Sequence, residues 1–276
     1  MHESCLLVKI MESDMQYKIY LINLERAKDR LAAMRRKLDE LGLSFERIKA
    51  TDGRAMSTEE KIAFAKLRPR ANGWLPGAIG CFRSHYQVWT AIAEGEEEFG
   101  VVFEDDVHIS AALPTLLEGV GTYLNQFDIV RLEATKHRVW LNNERKMSVA
   151  QTALIEVKSE TWGAAAYVIS REAARLLVRE PTTNHSPVDF FLFDKDTSVV
   201  ARRHRIYQTV PALCVQSKFD AAQGKPETSY GSDIEHNSED TRLRHLARKV
   251  QWRVRGFRNM LIGYRRIALS EDIVRL

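Results

Sequence analysis

Apolar positions change their spacing repeatedly along this chain, and the changes mark out its elements. Residues 18–24 (Lys-Ile-Tyr-Leu-Ile-Asn-Leu) are a short apolar run that reads as a strand. Residues 27–41 follow with Leu31, Met34, Leu38 and Leu41 at helical spacing, closed by Gly42. Residues 45–49 read as a second strand, which delivers Thr51-Asp52-Gly53 into a turn. This is a β-α-β unit, and its natural outcome is a parallel open sheet. Helices are predicted over residues 58–67 and 77–94, with Pro76 at the start of the second. A strand at 99–103, a helix around 113–123 and a strand at 128–132 continue the alternation.

The middle of the chain changes character. Residues 137–141 and 148–157 read as an antiparallel ribbon flanking a polar turn at 142–146. A buried strand at 164–169, a helix at 171–178, a short helix at 187–193 and an extended strand at 206–216, interrupted by Pro211, complete the regular elements. Residues 221–239 are polar and carry Gly and Ser, the composition of a loop. No internal repeat and no low-complexity segment is present.

Composition narrows the class. The 276 residues suffice for one large domain with an appendage, and 45% hydrophobic with 28% charged residues is ordinary for a soluble globular protein. No apolar stretch is long enough to span a bilayer. The first 15 residues lack the basic start and long apolar middle of a signal peptide and read as an extension. Cys5, Cys81 and Cys214 are odd in number and far apart, which fits neither a disulfide framework nor a zinc motif and implies a reducing, cytoplasmic setting. The net charge of +4 is unevenly placed. From Arg242 to Arg266 the chain holds eight arginines and one lysine, and no acid comes before Glu271.

The candidate chemistry begins with Glu104-Asp105-Asp106, which closes the apolar strand at 99–103. Side-by-side carboxylates repel one another and resist burial. At the carboxyl end of an α/β strand they are suited to holding a divalent cation that presents positive charge to a phosphate. A solvated acidic turn is the plain alternative.

Several motifs stand in order around this triplet. They are residues 20–24 (Tyr-Leu-Ile-Asn-Leu) with Arg26, Asp29 and Arg30; residues 50–53 (Ala-Thr-Asp-Gly); residues 77–85 (Gly-Ala-Ile-Gly-Cys-Phe-Arg-Ser-His); and Glu104-Asp105-Asp106-Val107. Trp162-Gly163-Ala164, residues 167–170, Pro187-Val188-Asp189 and Ser232-Asp233-Ile234 extend the set. The ordered set resembles glycosyltransferase family 25, over roughly residues 17–236. The resemblance implies a GT-A type α/β fold, a Rossmann-like mixed sheet flanked by helices. It also implies a UDP-sugar donor, Mn2+ (or Mg2+) and inversion at the anomeric carbon. Ala78 stands where the family often has an acid, and Arg83 where a smaller or apolar residue is common.

Within that frame, Glu104 and Asp106 share a face of an extended segment while Asp105 points the other way. Asp106 is the expected metal ligand, with Glu104 meeting the ribose or a metal-bound water and Asp105 the donor sugar or the metal. Asn23 opens the loop after the first strand. Arg26 and Arg30, four apart, are expected to reach phosphate or uracil, and Asp52 uracil or ribose. An exposed ion pair for Arg30 and a plain Asp-Gly turn for Asp52 are the alternatives. Gly80 permits close backbone approach, and Ser84 and His85 follow it on one helix, with His85 a candidate phosphate donor against the alternative of a satisfied structural histidine. Gln216 and Ser232-Asp233 are expected to close over the diphosphate.

Asp189, at the first turn of a short helix whose dipole favours its ionised form, is the candidate general base. A capping acid is the alternative. Trp162 and Gly163 suit stacking on an acceptor sugar, against the default of a core tryptophan.

The tail carries Leu243, Leu246, Val250, Val254, Phe257, Leu261 and Tyr264 as an apolar stripe among arginines. It reads either as an amphipathic helix on an anionic membrane surface or as a helix packed on the domain. No nucleic-acid recognition motif accompanies the charge. The expected organisation is an extension at 1–16, a catalytic domain at 17–238 and a basic helical tail at 239–276. The function expected is transfer of galactose or glucose to a lipid-linked, lipooligosaccharide-type acceptor, peripheral to the cytoplasmic side of the inner membrane. A metal-dependent phosphoesterase and a non-catalytic membrane-associated binding protein are the competing classes.

Overall fold

A computed structural model describes residues 17–66, 75–184, 186–217 and 264–274. The first half builds β1 (Tyr17–Asn23), α1 (Lys28–Glu40), β2 (Glu46–Lys49), α2 (Thr58–Lys66), α3 (Pro76–Glu94), β3 (Phe99–Glu104), β4 (Val107–Ile109) and α4 (Leu113–Val120). The second half builds β5 (Ile129–Arg131), β6 (Val139–Val149), β7 (Thr152–Val157), β8 (Ala166–Ser170), α5 (Arg171–Arg179), α6 (Val188–Phe193), α7 (Val199–Arg203), β9 (Ile206–Val210) and β10 (Cys214–Gln216). After residues outside the described set, β11 (Tyr264–Arg265) and α8 (Glu271–Val274) follow.

Among the described residues, nine strands form one sheet in the order β11-β6-β7-β9-β5-β8-β3-β1-β2. The sheet is mixed. β1 runs parallel to both β2 and β3, whereas β8 is antiparallel to its neighbours β3 and β5. Alternation along β1 sends Ile19 and Leu21 to one face, against Met34 and Leu38 of α1 and the helix α4. Tyr20 and Ile22 go to the other, against α3, α5 and α6. Both faces are covered, which is why β1, β3 and β8 read as nearly unbroken apolar runs.

The register matters more than the strand count. Ile22 lies beside Glu104 and Asn23 beside Lys49, so the carboxyl ends of β1, β2 and β3 finish level. Three loops therefore emerge together: Asn23 to Ala27, Ala50 to Gly53, and Glu104 to Asp106. Crossing them, Gly80 of α3 packs on the second loop so closely that a Cβ would stand 2.4 Å from the Thr51 carbonyl oxygen. The close approach expected at Gly80 is thus to the protein's own backbone.

Two expectations are corrected. Residues 142–146 are not a turn but part of β6, with a register shift between Asn142 and Lys146. The turn comes at Ala150 (φ 49°) and Gln151, joining Val149 to Thr152. The polar run marks an exposed stretch of strand near the sheet edge, and polarity alone does not distinguish that from a loop.

The second correction concerns the tail. Tyr264 and Arg265 are strand, antiparallel to Val139 and Trp140 of β6, and not the end of a helix. Beyond them the Ala212 N–H donates to the Ala268 carbonyl, the Ser270 N–H donates to the Ala212 carbonyl, and Asp272 accepts from the Ser110 hydroxyl and the Ala111 N–H. Ile273 is 0% exposed. Residues 264–274 are thus docked on the domain, because an unpaired edge strand and an apolar socket are both available to them. Residues 1–16 and 242–263, which carry the extension and most of the basic stripe, lie outside the described residues. No described helix is long and apolar enough to cross a membrane.

Docking of the C-terminal segment has a measurable consequence. Ile273→Ala should lower unfolding stability by about 2–5 kcal/mol, as loss of a buried aliphatic side chain does. Ile62→Ala, at a side chain 48% exposed, serves as the control and should stay within about 0.5 kcal/mol of the parent in urea melts. Equal behaviour of the two would mean that the segment does not dock.

Candidate active site

The three level loops wall a cleft of about 710 Å³, its open mouth included. Arg26, Arg30, Thr51, Asp52, Cys81, Ser84, Glu104, Asp105, Asp106 and Gln216 all line it. Most of the expected donor residues therefore converge, with Asn23, Gly80 and His85 outside the lining, although they do different work.

Glu104 and Asp106 face the same way, as the alternation of an extended segment requires. One amide joins them: Gln216 Nε2 donates to Glu104 Oε2 at 3.1 Å and to Asp106 Oδ1 at 3.1 Å. Gln216 is positioned by β10, which pairs antiparallel with β4 immediately after the acids, Gln216 opposite Val107. The same segment is tied by the Ser217 N–H to the Asp106 carbonyl.

Asp105 points into the protein. It accepts from Asn23 Nδ2 at 2.5 Å and pairs with Arg30 Nε at 3.3 Å, both side chains nearly buried. Burial raises its pKa to about 6, against the opposing pull of Arg30 and Asn23. Asn23 also donates to the Ala27 carbonyl and accepts from Arg47 Nε. Asn23, Arg30 and Asp105 thus form a buried brace beneath the cleft. The exposed-pair alternative for Arg30 is overturned, and the helical pairing of Arg26 with Arg30 is broken, because Arg26 turns instead to Asp52. Arg83 reaches Glu60 of α2 at 3.6 Å and does not line the cleft.

Ser84 accepts from the Thr51 N–H at 2.8 Å and donates to the Gly80 carbonyl at 2.7 Å, fixing the second loop to α3. His85 lies behind the wall, fully buried. Its Nε2 is 3.2 Å from Glu104 Oε1 and its Nδ1 is 2.8 Å from the Tyr167 hydroxyl, which also accepts from Trp89 Nε1 at 2.8 Å. An indole only donates, so the phenolic proton is free for Nδ1, and Nε2–H then donates to the carboxylate. His85 therefore orients Glu104. It does not reach out to a phosphate.

Asp189, Trp162 and Gly163 sit apart from the lining of this cleft. The N–H groups of Phe190 and Gly163 bind Asp189. Its pKa is raised, burial being the main cause and the charge of Glu104 adding to it, while those N–H groups offset part. The expected ionising effect of the helix terminus is overridden by burial in a helix only six residues long. Trp162 is partly exposed, its ring 4.1 Å from that of His137 and 5.9 Å from that of Phe190, which makes an aromatic platform and not a core tryptophan. Gly163 has φ +88°, and a Cβ there would meet the Glu133 carboxylate at 2.8 Å.

Beneath this loop lies a group to which the sequence reading assigned no role. Arg131, wholly buried, donates to Thr161 Oγ1, Gln208 Oε1 and the Trp162 carbonyl at 2.6, 2.8 and 2.6 Å. Burial lowers its pKa to about 10 against the support of Glu133 and Asp189. Arg131 and Glu133, two apart in an otherwise apolar stretch, share a strand face, and that spacing was the available signal. Cys81 and Tyr167 were likewise visible only as members of motifs. Ser232 and Asp233 lie outside the described residues.

An α/β protein with an acid-floored cleft at the carboxyl ends of parallel strands is the class that this geometry defines. Residues 16–192 match the family model described as Glycosyltransferase family 25 (LPS biosynthesis protein). The chain belongs to that family. It is 30% identical over 187 residues to the procollagen galactosyltransferase 1-A of Xenopus laevis, covering 63% of this chain and 30% of that protein. It is 28% identical over 249 residues to the lacto-N-neotetraose biosynthesis glycosyltransferase LgtE of Neisseria gonorrhoeae, covering 84% of this chain and 86% of that one. The chain thus spans under a third of the procollagen enzyme and most of LgtE. Among solved structures, the mannose-1-phosphate geranyltransferase of Thermus thermophilus superposes with a TM-score of 0.33 at 12% identity, over 70% of this chain and 73% of that one. A superposition that loose carries no argument.

The hydroxyl shared by Trp89 and His85 is open to test. Tyr167→Phe strands two buried polar groups and should cost about 1–3 kcal/mol in denaturant unfolding. A variant as stable as the parent would show that this hydroxyl is not the node of the network.

Proposed function

We propose that this protein transfers a hexose, galactose or glucose, from a UDP-sugar to a lipooligosaccharide-type glycan, with inversion and with a divalent metal. The observation that carries the reading is the pair of carboxylates, Glu104 and Asp106, held side by side by one Gln216 amide on the floor of the cleft. Two carboxylates so close are stable together when a cation shares them. Their all-oxygen donor set fits Mn2+ or Mg2+, with Asp106 as the ligand and Glu104 beside it. Such an ion, when bound, neutralises charge on the departing diphosphate.

The rest falls to the protein. Arg26 and Asp52, paired across the cleft mouth, offer a cation for phosphate and an acceptor for ribose or uracil. The Asn23–Arg30–Asp105 brace holds the floor rigid, so donor contacts are made without reorganisation. The acceptor sugar stacks on Trp162 and Phe190. Its hydroxyl oxygen attacks the anomeric carbon as the bond to the β-phosphate breaks, UDP keeps the electron pair, and Asp189 takes the hydroxyl proton. A raised pKa improves Asp189 as a proton acceptor near neutral pH. LgtE, named for lacto-N-neotetraose biosynthesis, matches along most of its length and the family model is described as an LPS biosynthesis protein, which together support a lipooligosaccharide-type acceptor over procollagen. The basic stripe within residues 242–263 remains our candidate for contact with an anionic membrane surface.

Release of UDP from a panel of UDP-sugars, with and without a lipooligosaccharide acceptor, tests the reading. Acceptor-dependent release that is lost with chelator is expected, and chelator-resistant turnover would sink the metal assignment. Asp106→Asn should lower the rate by about 10²–10³, the scale of a key electrostatic group.

Asp189→Ala should lower transfer by about 10²–10⁴ while UDP affinity by calorimetry stays normal. The sign of its pKa shift adds a second check. Activity should fall as pH drops through a pKa above the ordinary carboxylate range, because the protonated acid cannot accept a proton. Lost UDP affinity in Asp189→Ala would make this residue part of the donor site instead.

A further inference from the structure

We propose that Cys81, His85 and Glu104 form a binding site for a thiophilic divalent cation of the Zn2+ class, beside the carboxylates that suit a harder ion. Cys81 and His85 stand four apart on α3, so one helix face presents both. Glu104 meets them from the end of β3. One ligand atom from each lies within 4.8 Å of the other two.

The spacing is that of a coordination shell. Ligands about 2.0–2.3 Å from a tetrahedral zinc stand roughly 3.3–3.7 Å from one another. Glu104 Oε1 is 3.5 Å from Cys81 Sγ and 3.2 Å from His85 Nε2. Two edges of the tetrahedron are therefore present, and the third, between Cys81 and His85, is within 4.8 Å. The His85 ring is held from its far side by Tyr167, itself held by Trp89, which is the outer support that metal-binding histidines require. One sulfur, one nitrogen and one oxygen favour zinc over manganese or magnesium. Cys81 and Glu104 both line the cleft, so an ion has a path in and its fourth position opens to water.

Binding needs no oxidant or reductant. The Cys81 thiol gives its proton to solvent, and the His85 ring proton passes from Nε2 to Nδ1, so that the Tyr167 hydroxyl turns its own proton away and changes from donor to acceptor toward the ring. Affinity therefore rises with pH. Because Glu104 also belongs to the donor cleft, zinc at the triad inhibits transfer. This consequence rests on the transferase reading; the binding itself does not.

Co2+ replaces zinc in such sites and reports a thiolate ligand by a near-ultraviolet charge-transfer band. Titration of the full chain with Co2+ should produce that band, saturating at one equivalent and bleached by Zn2+ but not by equimolar Mn2+. Cys81→Ser, nearly isosteric, should lose it, while Cys5→Ser and Cys214→Ser should keep it. A band that is absent, that survives Cys81→Ser, or that yields to Mn2+ as readily as to Zn2+ would overturn the site. Inhibition of UDP release by Zn2+ is read separately, so a chain without transferase activity still tests the binding.

Discussion

Three consecutive carboxylates at the end of a strand buried on both faces repel one another, and the surrounding structure is arranged around that repulsion. The extended backbone divides the three. Asp105 goes inward to Arg30 and Asn23, while Glu104 and Asp106 go outward to the cleft and share the Gln216 amide. A second line of support reaches Glu104 from behind, through His85, Tyr167 and Trp89. Each donor would be stranded without its carboxylate, and each carboxylate would be costlier without its donor.

Much of this was legible in sequence because it is local. The alternation of Glu104, Asp105 and Asp106 follows from strand geometry, and the β-α-β opening follows from apolar spacing. Periodicity does not carry partner choice. Arg26 and Arg30 sit four apart and read as a pair, yet one answers Asp52 and the other Asp105, because the parallel register brings different loops to each. His85 read as a phosphate donor because the sequence does not show that α3 turns it toward the sheet. The turn at Ala150 was missed for the same reason: polar residues on an exposed strand and in a loop look alike.

The C-terminal segment couples distant parts of the chain to the acids. Residues 268–270 bracket Ala212, which leads through Cys214 into β10 and so to Gln216. Asp272 meanwhile holds Ser110 and Ala111, just past β4. Both strands of the β4–β10 pair are thus anchored by the same short stretch. Gln216 depends on that pair for its aim at Glu104 and Asp106, so a segment far from the cleft in sequence contributes to the cleft's geometry.

Asp189 sits between opposing fields, and the balance bears on what it can do. Burial and the negative charge of Glu104 raise its proton affinity, whereas the N–H groups of Phe190 and Gly163 lower it. The buried Arg131 supports the loop 161–163 through hydrogen bonds to Thr161 and Trp162 and places positive charge nearby. A carboxylate in water is too weak a base to draw a proton from a sugar hydroxyl efficiently, and one buried without donors would be protonated at neutral pH. Partial burial with two backbone donors and one buried cation lies between those limits. Gly163 is what makes the arrangement possible, since its positive φ turns one N–H toward Asp189 and its missing Cβ leaves room for Glu133 against Arg131.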